Sequence, residues 1–277
     1  MPERSWNWRG PRAGDEWVPR EFPPPKELPE RVEPEFPLDL DRLFPELEVG
    51  NIPLPGRAIE ISESARDERE EETRCEFIII DPLAFYVPYH YYPNRWGIYF
   101  RITRMRRDFI AYWRKVASCA LPLPKRDLAL AALKIYFFTI FLHELSHHVI
   151  EDIGSALEAY NVISSYPFLS AKDEEPFCEY VAFSFSERWT THPILHRVAP
   201  HLMKIEVRPS LRSQLLSVLY HHWNRSRSRL YRPHVTKEAE EKMAPVWNSF
   251  WRAHRYYGAL MGWPPGEISR RLFYTYQ

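Results

Sequence analysis

The segment from Leu128 to Asp152, LALAALKIYFFTIFLHELSHHVIED, limits the fold more than any other part of the 277-residue chain. Fifteen residues with Lys134 as their only charge run straight into three histidines and three acids. A stretch so apolar must be covered on nearly every side, so it predicts a buried core helix. The apolar part, Leu128 to Leu142, would span about 22 Å at 1.5 Å per residue, short of the roughly 30 Å of a hydrocarbon core. No membrane span is therefore expected. Asp127 is the expected N-cap, and Gly154 is expected to mark an end or a bend just after Ile153.

The flanks read differently. Residues 1–58 form a Pro-rich extended arm: twelve of the 26 prolines fall before residue 56, without helical or strand periodicity. Trp6, Trp8, Trp17, Phe22 and Phe36 are many aromatics for a freely solvated tail, so the arm is expected to wrap the domain in part. Residues 59–277 are read as a single domain, with 77–185 as its core and 186–277 as a helical C-terminal part. Within it a charged stretch runs from Ile59 to Glu76. FIII (Phe77 to Ile80) and Gly97 to Thr103 read as strands, the second by its alternation, with a turn near Pro93-Asn94. Helices are expected at Arg104 to Ala117, from near Asp173, at Pro209 to Tyr220 and at Thr236 to Tyr257. The fold class is α+β and predominantly helical, with a small sheet ahead of the central helix.

Composition removes several function classes. With 37 basic and 37 acidic residues there is no global field to draw the chain to nucleic acid or an anionic membrane. Cys75, Cys119 and Cys178 are too few and too scattered for a disulfide framework or a cysteine-based zinc site. Free thiols in a reducing compartment are expected. Only Gln214 and Gln277 represent glutamine while arginine, glutamate and proline abound, which leans toward a heat-adapted organism, where a Cys75–Cys119 bridge could also persist. The first ten residues, MPERSWNWRG, lack the apolar core of a secretory signal, so the expected compartment is cytoplasmic.

The chemistry lies in His143-Glu144-Leu145-Ser146-His147. Residues four apart on a helix stand one above the other, so the two imidazoles can share a metal ion, and Glu144 projects beside them as a general base. Eleven histidines and 28 glutamates would generate H-E-x-x-H by chance roughly 0.04 times in this length. Zinc is the implied ion. Catalytic zinc takes three protein ligands and keeps a fourth position for water, so another residue must contribute. The extended motif ending in a third histidine is excluded, because positions 150 and 153 are both isoleucine. Downstream, Asp173 to Phe183 (DEEPFCEYVAF) predicts a helix capped by Asp173 with Pro176 in its first turn. Glu175 and Glu179 share a face there, so one carboxylate can bind metal while the other accepts the N–H of a ligating histidine. Pro176 disfavours helical geometry at Glu175, which leaves Glu179 as an alternative ligand.

HELSH followed by E-P-F-C-E-Y-V-A resembles the gluzincin metallopeptidases, and among them the minimal ImmA/IrrE-like and M48-like domains. The resemblance covers about Phe77 to Phe185 and rests on the two motifs. It implies a zincin-like fold, Zn2+ held by His143, His147 and Glu175, Glu144 as general base, and Glu179 behind the ligands. The substrate would be a polypeptide bound in extended form along an edge strand. Cys178 stands where the family has a small residue, and Glu179 where it has Asp or Asn.

Two other functions compete with hydrolysis. Arg101, Arg104, Arg106, Arg107, Arg114 and Lys115, with a second run NRSRSRLYR near 225–232, could serve a nucleic-acid partner, although Asp108 interrupts the first run. A metal-stabilised interaction protein with an inactive site is the other. Candidate oxyanion donors are His148, His192, Tyr220, His221, His222 and His234. Glu151, one turn beyond His147, could stand behind the metal ligands but is expected to cap or to be solvated.

Overall fold

The computed structural model describes residues 83–88, 97–119, 121, 123–159, 168–192, 195–196, 199–224 and 232–256, together with the isolated Pro37. The arm, the Ile59–Glu76 stretch, the FIII segment, the turn near Pro93-Asn94 and most of the second arginine run lie outside the described residues. Strands β1 (Ala84–Val87) and β2 (Gly97–Phe100) come first. Helices α1 (Ile102–Ser118), α2 (Lys125–Ala159), α3 (Ala171–Arg188), α4 (Pro200–Lys204), α5 (Pro209–Asn224), α6 (Lys237–Met243) and α7 (Trp247–Tyr256) follow. Among the described residues the architecture is mainly helical with a small sheet ahead of the central helix, as the sequence patterning anticipates; its strands pair antiparallel, and β1 is not one of the expected strands.

α2 is the axis of the molecule. It packs against α1, α3, α4, α5, α7 and both strands. From Ala131 through Leu142 every residue is buried, because no face of that run is polar enough to meet water. The helix is also longer than expected, running to Ala159, and is long enough by composition to cross a bilayer. Its most apolar window is 89% buried by the rest of the protein, as in a core helix. Gly154 does not end it: the residue is buried inside the helix, where packing outweighs the roughly 1 kcal/mol propensity cost of glycine. Asp127 lies in the first turn instead of capping it.

Lys134 is the one charge in the apolar run, and it is 1% exposed. Its ammonium donates to the carbonyls of Met203 (3.2 Å) and Ile205 (2.5 Å), satisfying the end of α4. Burial, then the nearby Arg212, pushes its pKa down to about 8 from 10.5. The unfolded chain therefore binds more protons between those values, and the sign of the linkage makes stability rise with pH across that window. Urea midpoints between about pH 8 and 10.5 should climb in the parent relative to Lys134→Met. Parallel curves for the two proteins would contradict this.

The sheet covers one side of α2. β1 and β2 pair antiparallel in the register Ala84↔Phe100, Phe85↔Tyr99, Tyr86↔Ile98, Val87↔Gly97. Gly97 opens β2 at φ 147°, a backbone region that a side chain would forbid. Alternation divides the faces: Phe85 stacks on Tyr99 at 5.4 Å, while Phe100 meets Phe137 of α2 at 4.9 Å. The strand expected to reach Thr103 stops at Phe100 and gives way to α1 at Ile102, whose buried stripe is Met105, Phe109, Tyr112, Trp113 and Val116. Helical spacing of those five apolar residues outweighs the short alternation before them.

Two further boundaries differ from expectation. α3 begins at Ala171 with Ser170 as N-cap, so Asp173 is an internal first-turn residue that accepts the Ser170 hydroxyl. Pro176 becomes the sixth residue of α3, one turn deeper than expected. The helix anticipated over Thr236 to Tyr257 is two helices, because Pro245 sits in the turn between α6 and α7 and cannot supply a helical N–H. Thr236 does cap α6, accepting from the Ala239 amide at 3.2 Å.

Candidate metal centre

His143 and His147 project from α2 toward α3, the helix with which α2 makes its largest contact. Their rings lie 4.9 Å apart and inclined at 73°, with the two Nε2 atoms 3.2 Å from each other. Glu175 reaches across from α3. Its Oε2 lies 3.4 Å from His143 Nε2 and its Oε1 lies 3.7 Å from His147 Nε2. Two lone-pair nitrogens and a carboxylate thus converge on one point, and these three residues could hold a metal ion.

The spacing fits a tetrahedral ion. At metal–nitrogen distances of about 2.0–2.1 Å, the edge between two ligand atoms is about 3.3 Å. The Nε2–Nε2 distance matches that edge, and the carboxylate needs only a small movement. Charge points the same way, since Glu144, Glu174, Glu175 and Glu179 bring four carboxyl groups to two imidazoles in a largely buried place. A divalent cation would offset an excess that is otherwise expensive to bury. Side-chain exposures of 12% for each histidine and 19% for Glu175 leave a path for solvent.

The residues behind the three donors divide the work unevenly. Glu179 faces His143, but its Oε1 is 3.9 Å from Nδ1, beyond hydrogen-bond reach. Glu174, which the sequence reading passed over, accepts from His147 Nδ1 at 2.7 Å. An acceptor there fixes the ring's orientation and directs the Nε2 lone pair toward Glu175. Glu174→Ala is expected to weaken the site's affinity for a divalent metal ion about 10–100-fold, read by competition with a chromophoric chelator; an unchanged affinity would mean that His147 is held without it.

Electrostatics follow from burial and from this crowd of carboxylates. Burial pulls His143 down, but its hydrogen bond with Glu175 and the charges of Glu179 and Glu144 outweigh that and leave it above the usual imidazole value. His147 is opposed by burial in the same way and is held well above that value by Cys178, Glu175 and Glu174. Glu144 is 5% exposed, and burial pushes its carboxyl up, with Glu175 and Glu179 adding to the rise against the two imidazoles. A carboxylate so placed is a readier proton acceptor than one in water. Cys178 is fully buried, which pushes its thiol up to about 12 despite the neighbouring His147.

The face of α2 beyond Glu144 holds a second polar group. Tyr86 of β1 donates its hydroxyl to Glu151 and lies 2.9 Å from His148 Nδ1. Glu151 and His148 are only 0% and 1% exposed, so Glu151 neither caps nor meets solvent as expected; the sheet covers it. Tyr86 escaped notice in the sequence because nothing in a four-residue strand reports which helix it faces. Of the other oxyanion candidates, His192 packs on Phe141, Tyr220 on Phe183, and His221 is exposed. His222 belongs to a separate network with Asp108 and Lys115. His234 is tied by its backbone N–H to the Pro176 carbonyl at 3.1 Å, beside Glu175 in the chain.

Cys119 is a free buried thiol that donates to the Lys115 carbonyl, while Cys75 lies outside the described residues. No family model matches the chain, and comparison with curated proteins and with solved structures likewise finds no match.

Proposed function

We propose that this chain is a zinc-dependent peptidase of gluzincin type, built on a zincin-like core, with His143, His147 and Glu175 as metal ligands. The observation that carries the proposal is the convergence of both Nε2 atoms and both Glu175 oxygens at 3.2–3.7 Å, with buried Glu144 on the same helix. Bound zinc would acidify a water and polarise an amide carbonyl. Glu144 takes the proton of the attacking water, favoured by the raised affinity of its buried carboxyl, and returns it to the leaving amine. Glu174 keeps His147 in the tautomer whose Nε2 is free to bind. Glu179, close to His143 but not bonded to its Nδ1, adds negative charge that favours a cation in the site.

The basic residues of α1 have a simpler reading than nucleic-acid contact. Arg107 and Arg114 are exposed on the side opposite the buried stripe, as on any amphipathic helix packed on a core. Cleavage of a fluorescence-quenched peptide library by the full chain tests the proposal. Activity should vanish on dialysis against a chelator and return with zinc. Cleavage that survives complete metal removal would overturn it.

A further inference from the structure

His147 stands at the junction of two donor clusters. Its Nε2 faces His143 and Glu175, and its Nδ1 faces Glu174 at 2.7 Å, with Cys178 in the same group. One ligand atom each from His147, Glu174 and Cys178 lies within 4.8 Å of the others. Glu174 and Cys178 are four apart on α3 and share a face, so helix geometry can present both to His147 together. The clusters differ in chemistry: the first offers two nitrogens and a carboxylate, while the second offers a sulfur, which favours soft cations. Glu174 is 15% exposed, giving an ion entry to the otherwise buried sulfur.

We propose that His147 Nδ1, Glu174 and Cys178 form a second metal site for a thiophilic d10 cation, filled in alternation with the His143–His147–Glu175 site. Alternation follows from the imidazole itself. A neutral ring has one unprotonated nitrogen. With an ion on Nε2, the proton sits on Nδ1 and is donated to Glu174; with an ion on Nδ1, the proton sits on Nε2 and the first site keeps only His143 and Glu175. Filling the second site transfers the Cys178 proton to solvent, moves the His147 proton from one nitrogen to the other, and converts Glu174 from hydrogen-bond acceptor to ligand. A thiophilic ion thereby ejects the ion from the first site and silences it. The alternation rests on the proposed zinc site; the second site itself does not.

Cadmium is the probe. Titrating Cd2+ into the zinc-loaded full chain should raise a thiolate-to-cadmium charge-transfer band and release one zinc per cadmium to a chromophoric chelator. In Cys178→Ser, checked for folding by its retained zinc, both signals should be absent; Cys178→Ala, which suits the apolar surroundings, serves as a second variant. Cys75→Ser/Cys119→Ser should keep both. A band that persists in both Cys178 variants, cadmium that displaces zinc without a band, or cadmium that binds without releasing zinc would each overturn the proposal. If the parent holds no zinc, the peptidase reading fails, but a band present in the parent and lost with Cys178 would still establish the second site.

Discussion

Glu144→Gln should lower peptide turnover roughly 10²- to 10⁴-fold while leaving bound zinc unchanged. The amide has the size of the carboxyl it replaces, so a side chain 5% exposed keeps its packing and loses only its ability to take a proton. None of the three proposed ligands is touched. Single-turnover rates on one cleavable peptide, with metal content measured on the same samples, decide the matter. Equal rates in parent and variant would remove Glu144 from the chemistry, and a parent without activity but with full zinc would favour an interaction protein stabilised by its metal.

The second large effect concerns the fold. Asp108 of α1 accepts from His222 Nε2 (2.9 Å), Trp223 Nε1 (3.0 Å) and Tyr136 Oη (2.9 Å), tying α1, α2 and α5 at one carboxylate. Lys115 Nζ approaches the other His222 nitrogen at 2.9 Å. Asp108→Ala strands the His222 and Trp223 donors in a mostly buried place, while Tyr136 keeps the Met105 carbonyl as an acceptor at 3.2 Å. It should cost about 3 kcal/mol, whereas Tyr136→Phe removes a hydroxyl shared between Asp108 and Met105 and should cost about 1 kcal/mol. Burial raises the Asp108 carboxyl, but the hydrogen bonds and the charge of His222 outweigh it and hold the group below the ordinary aspartate value. A depressed carboxyl contributes stability above its unfolded pKa of 3.8 and loses it as pH falls through the lower folded value. Chemical denaturation of parent and variants should show that acid-side loss in the parent and not in Asp108→Ala. Equal midpoints for all three proteins would contradict the assignment.

What was legible in the sequence was whatever one helix can hold. The H-E-x-x-H spacing places two imidazoles and a carboxylate by rotation about a single axis, and the burial of α2 follows from its composition. Glu175 and Glu179 could be named as a pair because α3 also presents its residues at a fixed interval, but that interval alone does not say which of them meets the imidazoles. Glu174 could not be named, because which carboxylate meets His147 depends on where α3 begins and how it rolls on α2. In the structure Glu174 and Cys178 lie on the face of α3 toward His147. The signal was present as a second pair four apart, Glu174 and Cys178, obscured by the abundance of glutamate.

Punctuation residues misled for a related reason. Gly154 and Pro176 were weighed by local propensity, yet both lie inside helices whose buried contacts outweigh about 1–3 kcal/mol. The break at Pro245 went unread although its cause is local. The tie between Asp108 and His222 spans 114 residues, and no periodicity reports a contact of that separation. Tyr86 beside His148 and Glu151 is the same case across the sheet.

Metal content, measured on the purified full chain beside His147→Ala, bears most directly on the central claim. One tightly held zinc per chain is expected in the parent and none in the variant, with both proteins folded by circular dichroism. Absence of zinc from the parent after equilibration with the ion, or equal zinc in the two proteins, would contradict it.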